Sequence, residues 1–357
     1  MINVTKPFLP PLEEYNNYVN DIWGRNWLTN NGPLVNKLES ALKDYLELEN
    51  LLFVTNGTIA LQLAIKALDL KGEIITTPFS YVATTSSIVW ESCKPIFVDI
   101  IPDTYNIDPG KIERAITPNT SAILATHVFG NPCDIEAIEE VAKRNDLKVI
   151  YDAAHCFGTK YKGKSVFEYG DISVTSFHAT KLFHTTEGGA IMTRSKDLNK
   201  KLTYLRNFGH DGPEKFNGVG INAKNSEFHA AMGLCNLNYV DDILRSRKEQ
   251  SEYYDKVLSG LGYKKMTLEK DSDFNYAYYP LLFPNEELLL ECIKALNKNL
   301  IYPRRYFYPS LNKLEYVDKI KLSRSEDISE RILCLPLYYE LTKDEIDMIG
   351  DIICSIK

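Results

Sequence analysis

No apolar run in this 357-residue chain approaches the roughly 20 residues that a membrane-spanning helix needs. The opening stretch MINVTKPFLPPLEEY lacks the apolar centre of a secretory signal. Cysteine is sparse and unpatterned: seven residues, at 93, 133, 156, 235, 292, 334 and 354, with no C-x-x-C pair. An odd count without that spacing predicts reduced, mostly buried thiols and no zinc or other metal site. A basic excess is missing too. The net charge is -7, which argues against a nucleic-acid partner but leaves room for a local basic patch. The turn at Thr55-Asn56-Gly57-Thr58 has one glycine where a dinucleotide fold would show G-x-G-x-x-G. These absences together predict a soluble, cytoplasmic protein.

With 44% hydrophobic and 25% charged residues, the chain suits one large and one smaller globular domain. From residue 50, short β-rich runs alternate with helical periodicity. LLFVT (51–55), EIITTP, PIFVDI, SAILATHVFG, KVIYDAA, DISVTSF and GGAIMT read as strands. GTIALQLAIKAL (57–68), YVATTSSIVWES and DIEAIEEVAKRN read as helices, the last with Asp134 as its N-cap. Several strand runs are continuously apolar, as strands covered on both faces are. The alternation predicts an α/β fold with a mainly parallel central sheet. After about residue 240 the pattern changes to a long amphipathic helix, the strand-like FNYAYYPLLF, the helix NEELLLECIKALNKN, the aromatic loop YPRRYFYPSL and a last helix at 342–355. The predicted division is a large α/β domain at 15–245 and a small C-terminal α+β domain at 246–357, with residues 1–14 and their three prolines packed against the small one.

Ligands of an open parallel sheet gather beyond the carboxyl ends of its strands. There the sequence places Asn56-Gly57-Thr58, the segment PFSY, His127, Asp152 with His155, and Ser176 to Lys181. Asn56-Gly57-Thr58 opens a helix, whose free N–H groups and partial positive charge suit a phosphate, unless it is simply a capped start. Asp152 ends an apolar strand and needs a cation there, which a protonated ring nitrogen or a structural arginine would supply equally well. Asp99 reads as a loop-side cap. His155 can donate a hydrogen bond to a ligand, or be a satisfied core histidine. Lys181 alone would be a surface amine. In combination it gains weight: pyridoxal phosphate requires a lysine to hold its aldehyde as a Schiff base, an acid facing its pyridine nitrogen and a phosphate cradle. Lys181, Asp152 and the Gly57-Thr58 turn supply that set.

The ordered motifs WLTNNGPLVNKLESAL, VTNGTIALQLAIKAL, TTPFSYVATTSSIVW, PIFVDI, DAAHCFG, SFHATKLFHTTEGGAI, LRNFGHDG and GINAKNSEFHAAMGL cover nearly the whole chain. Their set resembles the sugar-nucleotide aminotransferases of the DegT/DnrJ/EryC1/StrS family. The resemblance implies the pyridoxal-phosphate-dependent transferase fold type I, the aspartate aminotransferase type, with the cofactor cycling through pyridoxamine 5'-phosphate. By position it implies that Lys181 carries the cofactor and shuttles protons, Asp152 pairs with the pyridine nitrogen and His155 contacts the 3-hydroxyl. Ser176, Gly57 and Thr58 would hold the phosphate, Tyr81 would stack on the ring, and Asn222 would reach the phosphate from a partner subunit. A homodimer with shared active sites follows, with the loop 209–218, including His210, lining the site from the partner chain. A branch of the family carries histidine in place of the lysine and dehydrates its substrate. His178 and His184 flank the site, but Lys181 favours transamination and leaves His178 as a pocket-lining residue.

The implied substrates are a nucleotide-linked keto-sugar and glutamate as amino donor. LIYPRRYFYPSLNKL (300–314) resembles the segment of family members that aminate dTDP-4-keto-6-deoxy-D-glucose at C4, for O-antigen or other glycan synthesis. Arg304 and Arg305 are candidates for the diphosphate, and either can instead pair with a structural carboxylate. Tyr306, with Phe307 and Tyr308, lines the substrate or belongs to the core. The alternatives are amination at C3, a UDP-linked sugar, an NAD-dependent dehydrogenase, and a non-catalytic sensor that keeps the fold. Intact Lys181, Asp152 and Ser176 argue against the last.

Overall fold

The computed structural model describes residues 1–356. Seven strands form one sheet: β1 (Leu51–Val54), β2 (Glu73–Thr76), β3 (Lys94–Phe97), β4 (Thr120–Thr126), β5 (Lys148–Asp152), β6 (Ile172–Ser176) and β7 (Gly189–Met192). Their spatial order is β1-β7-β6-β5-β4-β2-β3. Neighbours from β2 to β6 pair in parallel, whereas β7 runs antiparallel to both β1 and β6. The reversal has a local cause. A parallel return needs a long crossover, usually a helix. Residues 177–188 instead fold back on themselves, with the N–H of Phe177 donating to the Gly188 carbonyl and that of Ala179 to the Thr186 carbonyl, each at 2.8 Å. This turn carries Lys181.

The sheet is buried on both sides, and alternate residues of β1, β2, β4, β5 and β7 enter different cores. Phe53, Ile123, Ala125, Val149, Tyr151 and Ala190 join one apolar cluster. Leu52, Val54, Ala122, Leu124, Ile150 and Ile191 join the other. The helix α1 spans Leu12–Arg25, α2 Pro33–Leu46, α3 Gly57–Ala67 and α4 Val82–Trp90. Leu38 and Leu42 of α2 cover the first face, while Leu61, Ala64 and Ile65 of α3 cover the second. Asn56 caps α3 by accepting from the Ile59 N–H at 2.8 Å, and Asp134 accepts from Ala137 N–H at 3.1 Å to start the helix Ile135–Arg144.

Further along, α5 covers Glu227–Leu237 and α6 Val240–Val257. A second sheet pairs β8 (Tyr279–Leu282) with β9 (Ile332–Leu335) antiparallel, over a third core that holds Leu281, Phe283, Leu289, Leu335, Ile346 and Ile349. Ile2 and Asn3 pair in parallel with Ile301 and Tyr302, and the Leu337 N–H donates to the Val4 carbonyl at 3.1 Å. The boundary placed at 245/246 falls within α6. Val240 and Ile243 of that helix enter the first core, and Tyr254 enters the third, so no linker separates them. Asp99 is a cap across the chain: its carboxylate accepts from the Ser325 N–H and hydroxyl at 2.8 and 2.6 Å, at the start of α7 (Ser323–Arg331). Burial raises its pKa, but these hydrogen bonds outweigh burial and hold the carboxyl below its ordinary value.

Glu227 fixes the position of α5 against α2. Its side chain is fully buried and accepts from the N–H groups of Leu34 and Val35, both at 2.9 Å, while Arg25 pairs with it at 3.2 Å. The carboxylate thus satisfies two free donors of the α2 N-terminus and complements its dipole. Gly32 is required beside it, because an added Cβ would lie 2.5 Å from the Glu227 carboxyl carbon. Glu227→Ala is expected to cost about 3–5 kcal/mol, since it strands buried donors and one partner of an ion pair. Urea denaturation measures this. A midpoint unchanged from wild type would contradict the role.

Candidate active site

The carboxyl ends of β4, β5 and β6 meet the amino ends of α3 and α4 around a cavity of about 610 Å³. Gly57, Thr58, Tyr81, Asp152, His155, Ser176 and Lys181 all line it, together with Arg304 and Tyr306 from the second part of the chain. The floor is the α3 N-terminus against the end of β6. A Cβ on Gly57 would sit 3.0 Å from the Ser176 Cβ, so glycine lets the serine and the helix start approach each other. Gly189 serves the same contact from β7, where a Cβ would lie 2.6 Å from the Asn56 carbonyl carbon and 2.7 Å from the Gly57 nitrogen. The result is a concave, electropositive cradle that suits a phosphate.

Asp152 closes β5 in a buried position. Its Oδ2 accepts from the Thr84 hydroxyl at 2.7 Å and its Oδ1 from the Ala154 N–H at 3.2 Å. Thr84 Oγ1 lies 2.7 Å from Ser80 Oγ, which lies 2.9 Å from Thr126 Oγ1. No lysine or arginine pairs with Asp152 among the described residues. Burial therefore raises its pKa, opposed by the two hydrogen bonds and by the charge of Lys181.

His155 stacks parallel to Phe307, with centroids 5.8 Å apart, and lies 4.7 Å from Tyr278. Burial, then the Lys181 charge, pushes its pKa well down and keeps the ring neutral. Its Nδ1 is buried without a partner. Lys181 itself is pushed down to about 8: burial lowers it, Asp152 raises it, and Arg304 lowers it. A lysine shifted this far has a neutral, nucleophilic fraction near neutral pH. An unpaired buried carboxylate, an orphaned imidazole nitrogen, a depressed lysine and a glycine-built cradle in one cavity form a donor set that fits pyridoxal phosphate.

The other candidates are placed differently. Arg305 turns away from the cavity: it pairs with Glu286 at 2.6 Å, donates to the Glu330 carbonyl at 2.8 Å and lies over the Tyr308 ring. The expectation that it contacts a diphosphate is corrected to the structural pairing. Asn222 is exposed outside the cavity and accepts from the Lys224 ammonium at 2.7 Å. His210 bridges to Phe216 within its own loop. His184 is structural, its Nε2 lying 2.7 Å from the Phe8 carbonyl oxygen. His178 lines the cavity, 3.6 Å from Glu187, and its Nδ1 accepts from the Thr180 N–H. Sequence reasoning reached Ser80 only as part of PFSY and missed Thr84 and Thr126, although the hydroxyls of FSYVATT follow a strand end, where such residues face a ligand. It also missed Asn225, Glu187 and His229 on the cavity wall.

The Lys181 amine provides a test that needs no cofactor. In the cofactor-free protein its acylation is expected to rise with a midpoint near pH 8, not at the ordinary lysine value of 10.5. Asp152→Asn removes the charge that raises the midpoint, so it moves lower, and Arg304→Gln removes one that lowers it, so it moves higher. Peptide mass spectrometry across pH reads both shifts, and an ordinary, unresponsive midpoint would contradict the geometry.

Residues 12–354 match the DegT/DnrJ/EryC1/StrS aminotransferase family. The chain is 43% identical over its whole length to a dTDP-4-amino-4,6-dideoxy-D-glucose transaminase of Shigella dysenteriae, covering 99% of that protein. It is 38% identical over 96% of its length to one from Escherichia coli, covering 95% of it. Its fold matches the crystal structure of DesI in the presence of its TDP-sugar product with a TM-score of 0.93 and 30% identity, over 99% of this chain and 92% of that one. This is the pyridoxal-phosphate-dependent transferase fold, and the dinucleotide-dehydrogenase alternative falls away. On its match from residue 12 to residue 354, the chain belongs to the DegT/DnrJ/EryC1/StrS aminotransferase family.

Proposed function

We propose that this protein transfers the amino group of glutamate to the C4 carbonyl of dTDP-4-keto-6-deoxy-D-glucose, yielding dTDP-4-amino-4,6-dideoxy-D-glucose. The observation that carries the reading is one cavity holding a depressed lysine, Lys181, and a buried carboxylate without a contacting cation, Asp152. The 43% identity to a transaminase of that substrate supports the choice of sugar. Pyridoxal phosphate, when bound, supplies an aldehyde and an electron-withdrawing ring.

The chain's own residues do the rest. Asp152 holds a proton on the pyridine nitrogen, and Thr84 fixes the orientation of its carboxylate. Ser176, Gly57 and Thr58 hold the phosphate, His155 meets the 3-hydroxyl, and Tyr81 at the mouth covers the ring. Lys181, once free, would carry the proton between the reacting carbon of the substrate and the cofactor's aldehyde carbon, on either side of the transferred nitrogen, which its lowered pKa suits. A homodimer belongs to the same reading. Phe208, Phe216, Val219 and Ile221 are exposed on the segment that carries His210 and Asn222. Trp23, Trp27 and Leu28 are exposed as well. A second copy would cover such apolar surface and bring Asn222 to the neighbouring phosphate. The setting is cytoplasmic nucleotide-sugar metabolism feeding O-antigen or other glycan synthesis, with no membrane or nucleic-acid partner. No helix among the described residues is long and apolar enough to cross a membrane.

Purified enzyme given cofactor, glutamate and dTDP-4-keto-6-deoxy-D-glucose is expected to form the 4-amino sugar, read by mass spectrometry and NMR. Lys181→Ala should lose the visible absorbance of the bound cofactor and at least about 10²–10⁴-fold in rate. Conversion of the 3-keto isomer or of a UDP-linked sugar in preference to this substrate would overturn the assignment. A protein that stays colourless with added cofactor would overturn the chemistry.

A further inference from the structure

The geometry points to Arg304 as the residue that binds the α-carboxylate of the amino donor, not the diphosphate of the sugar. This assignment rests on the transamination reading above. Arg304 lines the same cavity as Lys181. No carboxylate lies within ion-pair distance of it among the described residues, whereas its neighbour Arg305 is held by Glu286 at 2.6 Å. It is nonetheless fixed in place. Its backbone exchanges two hydrogen bonds with Cys334 of β9, at 3.1 and 2.8 Å, and its guanidinium lies over the Tyr306 ring, 4.7 Å from the centroid. A cation held over an aromatic face with its fork unoccupied is prepared for an anion from outside the chain.

The two substrates differ in where their anions fall. Each must present its reacting carbon to the same place beside Lys181. In an α-amino acid the carboxylate is one bond from that carbon. In a keto-sugar nucleotide reacting at C4, the diphosphate hangs from C1, on the far side of the ring. Arg304 and Lys181 line one cavity, and the Arg304 charge helps to lower the pKa of the amine. A guanidinium that shares the cavity of the reacting centre suits the nearer anion. The two carboxylates lining the cavity, Asp152 and Glu187, leave no other use for it: Asp152 takes its hydrogen bonds from Thr84 and Ala154, and Glu187 faces His178 at 3.6 Å. In the sugar half of the cycle Arg304, being solvent-exposed, returns to water at little cost.

The two half-reactions separate the possibilities. Cofactor-loaded enzyme is titrated with glutamate alone, and loss of the visible band gives an apparent Kd. Enzyme in the pyridoxamine form is titrated with dTDP-4-keto-6-deoxy-D-glucose, and return of the band gives the other. Arg304→Gln is expected to weaken glutamate by roughly 10- to 100-fold, the loss of a charge-assisted bidentate contact, with sugar affinity within about threefold. Arg304→Lys should recover part of the loss, because it restores charge without the fork. Weakened sugar binding with glutamate unchanged would overturn the assignment in favour of the diphosphate. Equal weakening of both, or no change in either, would also overturn it. Wild-type enzyme inactive in both half-reactions would overturn the proposed function and this assignment with it, an outcome visible before any variant is made.

Discussion

A carboxylate buried at the end of a central strand with no cation touching it is costly, and the site is arranged around that cost. Burial raises the pKa of Asp152, and one threonine hydroxyl, one backbone N–H and the field of Lys181 offset that cost in part. The hydroxyl belongs to a chain that runs Asp152–Thr84–Ser80–Thr126 and ties the end of β5 to the first turn of α4 and the end of β4. Nothing in that chain supplies positive charge. A protonated ring nitrogen placed there would relieve the carboxylate, so the ligand the site favours is one that brings its own cation.

The same economy explains Lys181. The chain returns to the sheet through residues 177–188 as a backward fold and not as a helical crossover, so β7 becomes the antiparallel member and the lysine sits in the turn over the strand ends. Close approach is then possible only because Gly57 and Gly189 carry no Cβ. Burial strips water from the amine and outweighs the pull of Asp152, so it rests near pH 8. Cradle, acid and amine are consequences of three strand ends meeting two helix starts, and Glu227 anchors α5, which brings His229 to the cavity.

Much of this was legible in the sequence. Apolar runs alternating with helical periods gave the mainly parallel sheet, because strands buried on both faces have no polar alternation to hide. Lys181, Asp152, Ser176, Gly57, Thr58, Tyr81 and His155 all follow strand ends or open helices, and the sheet topology carries such positions to one cavity. Pairings between distant residues were not legible. Thr84 reaches Asp152 across 68 positions, Asp99 caps a helix more than two hundred residues on, and Arg305 finds Glu286 only once the second sheet has formed. Two adjacent arginines look alike in YPRRYF, but the backbone points one into the cavity and the other into an ion pair. The proposed boundary at 245 falls inside α6, which serves two cores, so nothing in its pattern marks a division.

The central claim is that one particular amine in this cavity holds the cofactor. Borohydride reduction of the holoprotein, followed by peptide mass spectrometry, tests it directly. The expected result is a single pyridoxyl-modified peptide with the modification on Lys181. Modification of a different lysine, or no modified peptide from a protein that binds the cofactor, would contradict it.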